Sequence, residues 1–223
     1  MVDIVASFER SLEITYFDTH FLFPETHDLR RRLQARYPHL HFVNRGTTLT
    51  PEEQAQRLGP ELWARDPERC CDLRKVEPMR RAVAGRRAWM TALRRTQSAT
   101  RAAVQAVEHD ARFDVIKINP LASWSREEVW DWVRAHDVPF NTLHEQGYPS
   151  IGCTHCTSPV DGAAPWNYTR AGRWAGLEKT ECGLHLSQPP TAAGVEVHVS
   201  ATPGRAAPPE TTEAGERSGA SHG

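Results

Sequence analysis

Short apolar runs alternate with longer amphipathic stretches over most of the chain, and this pattern predicts helices and strands in alternation. Val2 to Ser11 predicts a short helix, and Leu12 to Phe17 (LEITYF) a strand ending at Asp18-Thr19. Phe23-Pro24-Glu25-Thr26 opens a helix to about Tyr37, with proline early and an acid in the first turn. Leu40 to Val43 predicts a second strand. Pro51-Glu52-Glu53 opens a helix that ends near Gly59, and Asp66-Pro67 begins a helical turn leading to a cysteine pair. Glu77 to Ala84 reads as helix, Ala88 to Ala92 as a buried strand and Phe113 to Ile118 (FDVIKI) as a strand. Asn119-Pro120 gives a turn, and Ser125-Arg126-Glu127-Glu128 caps a helix through Ala135. Beyond Val138-Pro139-Phe140 and the turn Gly147-Tyr148-Pro149, the pattern is loop-rich up to His185. Short strands separated by helices imply parallel pairing through crossover helices. The class expected is α/β, an open, doubly wound, mainly parallel sheet.

Residues 187–223 break this pattern. They hold five prolines, five glycines and no aromatic residue, so a disordered tail is expected, with a short strand conceivable at GVEVHV. The folded domain expected is residues 1–186. The 223 residues carry a net charge of −1, which argues against a general nucleic-acid coat, and no apolar run nears the ~20 residues of a membrane span. The start MVDIVASFERS lacks a basic region followed by an apolar one, so a cytoplasmic protein is expected.

The basic residues are uneven. Of 27 cations only Lys75, Lys117 and Lys179 are lysines, and between Arg69 and Arg101 ten Lys/Arg face two acids, Asp72 and Glu77. The stretch is a solvated helix face or an anion site, since arginine forks match phosphate and sulfate oxygens.

Five cysteines in a chain without a leader suggest metal binding or thiol chemistry more than a disulfide framework. Four form two pairs, Cys70-Cys71 and Cys153-x-x-Cys156. A CxxC alone fits a redox dithiol, half a zinc site or half an iron–sulfur site. Zinc sites prefer ligands two to four residues apart, so the adjacent pair favours iron–sulfur, with zinc and plain buried thiols as alternatives. Cys182 stands apart, flanked by Lys179 and His185. Neighbouring cations favour its thiolate, and a small buried hydrophobe is the competing reading.

Several motifs in order carry a resemblance. They are Cys70-Cys71-Asp72-Leu73-Arg74-Lys75-Val76-Glu77-Pro78, then Leu93-Arg94-Arg95-Thr96-Gln97-Ser98 with Thr100-Arg101, then Asn119-Pro120-Leu121-Ala122-Ser123-Trp124-Ser125 and Glu128-Val129-Trp130. His144 to Cys153, Arg170-Ala171-Gly172-Arg173-Trp174 and Glu181-Cys182-Gly183-Leu184-His185 complete the set. Over about residues 1 to 186 the chain resembles the assimilatory adenylyl-sulfate reductases, thioredoxin-dependent enzymes of the phosphoadenylyl/adenylyl-sulfate reductase family.

The resemblance implies an adenine nucleotide α-hydrolase-like fold. It implies an oxidoreductase that reduces adenosine 5′-phosphosulfate to sulfite and AMP, in sulfate assimilation toward cysteine. Cys182 would attack the sulfate sulfur, forming an S-sulfocysteine that thioredoxin, or a glutaredoxin-like reductant, resolves. Cys70, Cys71, Cys153 and Cys156 would bind a [4Fe–4S] cluster. Lys75, Arg94, Arg95, Arg170 and Arg173 would neutralise substrate oxygens so that a thiolate can approach. Lys75 would sit between cluster and substrate. Trp124, Trp130 and Trp174 are expected to pack, His144 and His185 to make structural hydrogen bonds, and His155 to be a loop residue.

The chain departs from the family pattern at its start. No Ser/Gly-rich phosphate-type loop precedes Leu12, so the domain is expected to be N-terminally incomplete: a start placed too far downstream, or a shortened relative that has lost activity. The loss would weaken anion binding by backbone N–H groups. His20, Ala92 and Thr154-His155 also stand where the family has other residues. The alternatives to adenylyl-sulfate reduction are a 3′-phosphoadenylyl-sulfate reductase and a non-catalytic iron–sulfur or redox-sensing relative.

Overall fold

The computed structural model describes residues 1–8, 12–162 and 169–185, all within the compact unit Met1–Pro189. The expected tail over 187–223, with GVEVHV, lies outside the described residues.

The chain opens with helix α1 (Val2–Ala6) and strand β1 (Glu13–Tyr16). Helix α2 (Pro24–Arg36) has proline in its first turn, Glu25 at its positive end and Arg36 at its negative end. It leads to strand β2 (His41–Asn44), parallel to β1 with Glu13 opposite His41. Helix α3 (Pro51–Leu58) begins with a capping box: Thr50 Oγ1 accepts from the Glu53 N–H at 3.1 Å, and Glu53 Oε2 accepts from the Thr50 N–H at 2.9 Å. A short helix α4 (Leu62–Arg65) precedes α5 (Pro67–Cys71), which Asp66 caps by accepting from the Arg69 N–H.

Helix α5 runs on through a π-helical turn (Asp72–Val76) into α6 (Glu77–Val83). Pro78 accounts for the widened turn, because it has no N–H to return to the Arg74 carbonyl and its ring crowds that oxygen. The turn carries Arg74 and Lys75.

Strand β3 (Ala88–Met90) is parallel to β5 (Val115–Ile118), and β4 (Val107–Asp110) pairs antiparallel with β5. Helix α7 (Arg126–Ala135) starts at the expected Ser125/Glu128 capping box. The parallel pairs and intervening helices make this an α/β fold. Among the described residues the strands form two sheets, β1-β2 and β3-β5-β4. The two are joined by Arg86, which donates to Glu13 at 3.1 Å, and by Phe17, which packs on Met79, Val83 and Val115.

Strand β4 is not foreseen by the pattern. Val107-Glu108-His109-Asp110 holds one apolar residue, and that one is exposed. An ion pair helps to hold it to β5: Glu108 lies opposite Lys117, whose buried Nζ is 3.0 Å from Glu108 Oε1. His20, noted as a departure from the family, takes φ 60°, a left-handed conformation that costs a non-glycine residue about 1 kcal/mol. Asp18 offsets part of this cost by accepting the His20 N–H at 2.9 Å. Among the described residues no helix is long and apolar enough to cross a membrane.

Candidate active site around Cys182

The residues beside Cys182 are held more firmly than a loop near the end of a domain requires. Glu181 is buried, and its carboxylate accepts from Arg101 twice, Nε to Oε1 at 2.9 Å and Nη2 to Oε2 at 2.8 Å. Thr100 Oγ1 donates to Oε1 at 3.1 Å, and Arg170 Nη2 reaches Oε2 at 3.3 Å. Burial works against the charge of Glu181, but Arg101 and then Arg170 overcome it and hold the carboxyl below its ordinary range. On the other side, Arg112 Nη1 donates to the Gly183 carbonyl at 2.7 Å. Gly183 has φ +89°, and a Cβ there would lie 3.3 Å from Arg112 Nη1 and from Val76, so glycine fits the site on both counts.

Cys182 is partly buried on the wall of a cavity of about 830 Å³, with Glu68, Thr100, Arg112, Lys179 and His185 among its lining. Lys179 pairs with Glu68 across this wall. Lys75 and Arg173 lie within electrostatic reach of the Cys182 sulfur. Burial disfavours the charge on Lys75, and the sulfurs of Cys153, Cys182 and Cys71 outweigh it, so its pKa is raised. Burial lowers that of Arg173, as does neighbouring Arg170.

Buried Trp174 gathers three cations on its ring, Arg173 at 4.4 Å, Lys179 at 5.5 Å and Arg170 at 5.6 Å. Arg170 also donates to the Thr180 carbonyl at 2.8 Å, and Arg173 to that of Cys156 at 3.1 Å. A Cβ on Gly152 would fall 2.3 Å from Arg173 Nη2, so a side chain there would displace the guanidinium. Three of the expected substrate residues, Lys75, Arg170 and Arg173, thus gather near Cys182. Arg94 and Arg95 begin the 3₁₀ turn Arg95–Gln97 that leads to Arg101, and Arg95 Nε donates to the Val104 carbonyl at 2.8 Å.

The iron–sulfur expectation is corrected. Among the described residues no group of three or more His, Cys, Asp or Glu side chains is placed to hold a metal ion. Cys70, Cys71, Cys153 and Cys156 do line one pocket with Lys75, but its volume is about 10 Å³, no more than a single water fills. Cys71, Cys153 and Cys156 pack with Trp174 as small buried groups, and Phe21 and Trp63 flank them. Burial pushes the Cys70 thiol up to about 11 and Cys71 up to about 12, and raises Cys156 as well. Arg74 runs beside them, fully buried, and donates to Gln54 Oε1 and the Thr19 carbonyl, both at 2.8 Å. No carboxylate pairs with it among these contacts; neutral oxygens and the Phe21 ring, 4.3 Å away, carry the charge.

The expected packing residues do pack. Trp124 meets Trp132 edge-on at 5.7 Å and Trp130 meets Phe140 at 5.2 Å. His144 Nδ1 bonds the Tyr148 carbonyl at 2.8 Å, and His155 stacks on Trp63 at 3.9 Å. His185 differs from expectation: it stacks on Trp89, and its buried Nδ1 has no hydrogen-bond partner among the described residues. Burial first, then Arg101 and Lys117, push its imidazole down to about 3.

Arg101, Arg112 and Glu181 hold the Cys182 segment without being singled out by the sequence. Arg101 and Glu181 both lie inside the motifs that carry the resemblance, but their 80-residue separation hid the pairing. Arg112 had no signal, because its partner is a backbone carbonyl.

The fold is α/β, and Cys182 lies on a cavity whose lining mixes three cations, Arg69, Arg112 and Lys179, with five carboxylates, Asp66, Glu68, Asp72, Glu178 and Glu181. Residues 1–159 match the phosphoadenosine phosphosulfate reductase domain, and the chain belongs to that family. It is 43% identical over 190 residues to the adenosine 5′-phosphosulfate reductase of Staphylococcus saprophyticus, covering 85% of this chain and 77% of that protein. It is 46% identical over 187 residues to the enzyme of the same name from Geobacillus thermodenitrificans, covering 84% of this chain and 78% of that one. These names state the reaction and no cluster. The phosphoadenylyl-sulfate reductase of Candida auris, solved as a phosphate complex, superposes with a TM-score of 0.60 at 33% identity, over 71% of this chain and 76% of that one.

Proposed function

We propose that this chain reduces adenosine 5′-phosphosulfate to sulfite and AMP in sulfate assimilation toward cysteine, with a thioredoxin-type dithiol as reductant. The observation that carries the reading is Cys182 on the wall of the 830 Å³ cavity, pinned on both sides and approached by Lys75 and Arg173. Family membership and the names of the relatives support the substrate.

The Cys182 thiolate attacks the sulfate sulfur in line with the phosphate bridge. A Cys182 S–S bond forms, the bridging S–O bond breaks, and its electron pair leaves with AMP. Lys75, Arg170 and Arg173 balance the charge of the sulfuryl oxygens, and Arg94 and Arg95 are assigned to the same anion on the family resemblance alone. A thiolate of the reductant then attacks the Cys182 sulfur, and sulfite leaves with the S–S electron pair. The second thiol of the reductant resolves the mixed disulfide, which returns Cys182 as a thiolate and leaves the reductant oxidised. Such a reductant needs a reducing compartment, which makes the cytoplasm the site of action. Residues 1–186 form the reductase domain in this reading, with 187–223 as an appended tail.

A second reading, reduction of the 3′-phosphorylated substrate, is favoured by the likeness to the Candida auris phosphoadenylyl-sulfate reductase. Sulfite release with thioredoxin, measured with each nucleotide, separates the two. The expected result is turnover of adenosine 5′-phosphosulfate and a fall of at least about 10³-fold in Cys182→Ser. Turnover of only the 3′-phosphorylated nucleotide would select the second reading, and unchanged turnover in Cys182→Ser would overturn the role of the thiol.

A further inference from the structure

The Arg101–Glu181 pair is not among the residues assigned to the anion, although Glu181 lines the same cavity as Cys182. We infer that it is a positioning device: Arg101 fixes Glu181, and Glu181 fixes the sulfur of the next residue on its line of attack. This inference rests on the reductase reading.

Three observations lead to it. The pair is bidentate and buried on both sides, with Arg101 and Glu181 each 6% exposed. Side chains around the pair add to it: Arg101 Nη1 donates to Gln97 Oε1 at 2.7 Å, Thr100 donates to the carboxylate at 3.1 Å, and Ser98 Oγ and Arg170 Nη2 lie 3.5 Å and 3.3 Å from it. Arg101 sits at the end of the second of two 3₁₀ turns, Arg95–Gln97 and Ala99–Arg101, where its N–H donates to the Ser98 carbonyl at 3.0 Å. The residue held is adjacent to Cys182, where a small rotation of the Glu181 backbone swings the sulfur sideways.

The pair also links two jobs. Arg170 divides its guanidinium between the Thr180 carbonyl and Glu181 Oε2. A cation assigned to the substrate thereby leans on the same carboxylate that orients the nucleophile. Alignment to well under 1 Å matters for an in-line displacement, and a 1 Å error costs on the order of 100-fold in rate. Removing one partner of a buried bidentate pair strands the other charge, so the conservative variants are the informative ones.

The test uses the full chain with Glu181→Gln and Arg101→Lys. Steady-state sulfite release is read alongside the iodoacetamide labelling rate of Cys182, located by peptide mass mapping. Expected is a fall in kcat of about 10-fold or more in each variant, with KM for adenosine 5′-phosphosulfate within about 3-fold, and a Cys182 labelling rate changed at least about 3-fold. Arg101→Lys, which keeps the charge, should retain more activity than Arg101→Gln. A KM that rises with kcat unchanged would make the pair part of substrate binding and overturn the inference. So would kcat and labelling both within about 2-fold of the parent. A melting temperature measured on every variant identifies any that are unfolded, in which case the Arg101→Lys values decide. Were the parent chain to release no sulfite, the reductase reading would fall, while the labelling rates would still report on whether the pair holds Cys182.

Discussion

The molecule holds cysteines in two settings that lie close together and differ in almost every physical respect. Cys182 sits on an open cavity of about 830 Å³, between a carboxylate clamped by Arg101 and a carbonyl held by Arg112. Cys70, Cys71, Cys153 and Cys156 line a closed space of about 10 Å³, walled by Phe21, Trp63 and His155. One setting leaves a partly buried sulfur on a cavity wall, where it also packs against the cluster of Cys71, Cys153, Cys156 and Trp174. The other turns sulfur into packing material, and burial there raises the pKa of Cys70, Cys71 and Cys156. Thiol reactivity follows thiolate fraction and access, so the two settings are expected to differ in reactivity.

The largest effect expected from this contrast is in alkylation. With Cys71 pushed up to about 12, its thiolate fraction at pH 8 is on the order of one in ten thousand. Iodoacetamide on the native chain should label Cys182 first, at least about 100-fold faster than any of the other four, as read by peptide mapping over time. Comparable labelling of Cys70 or Cys71 in the folded protein would erase the distinction between the settings.

This contrast also explains what the sequence could and could not convey. The split of five cysteines into four and one was legible from the adjacent pair, the CxxC and the lone Cys182. Capping boxes at Thr50 and Ser125 and the parallel pairing were legible too, because they rest on local chemistry and periodicity. Spacing and family likeness point to the four as cluster ligands. Spacing says which sulfurs share a region, but it is silent on the volume left between them. Likewise β4 depends on the Lys117–Glu108 ion pair and the clamp on Glu181 on an arginine 80 residues away. Neither leaves a periodic trace.

Lys75 sharpens the comparison, because it belongs to both settings. It lines the closed pocket and lies within reach of the Cys182 sulfur. Lys75→Ala should lower kcat/KM for adenosine 5′-phosphosulfate about 100-fold, near 2.7 kcal/mol of transition-state stabilisation. Lys75→Arg should recover part of this. Unchanged kinetics in Lys75→Ala would confine its role to the packing of the four thiols.

The smallest effect concerns His185, at the inner end of the Cys182 segment. Its imidazole is stacked on Trp89, and burial first, then the charges of Arg101, Lys117, Arg170 and Lys75, drive it down to about 3. In the unfolded chain it titrates near the ordinary value of about 6.5. Between these values the unfolded state binds a proton that the folded state refuses, so stability is full above about pH 6.5 and declines as the pH falls toward 3. Melting temperatures at pH 7.5 and pH 5 should therefore drop further in the parent chain than in His185→Gln, with a difference of about 2–4 °C. Equal drops in the two proteins would mean that the ring is solvated as the segment breathes. The Cys182 wall would then be looser than its hydrogen bonds to Arg101 and Arg112 imply, and the contrast with the closed cysteine pocket would rest on accessibility without rigidity.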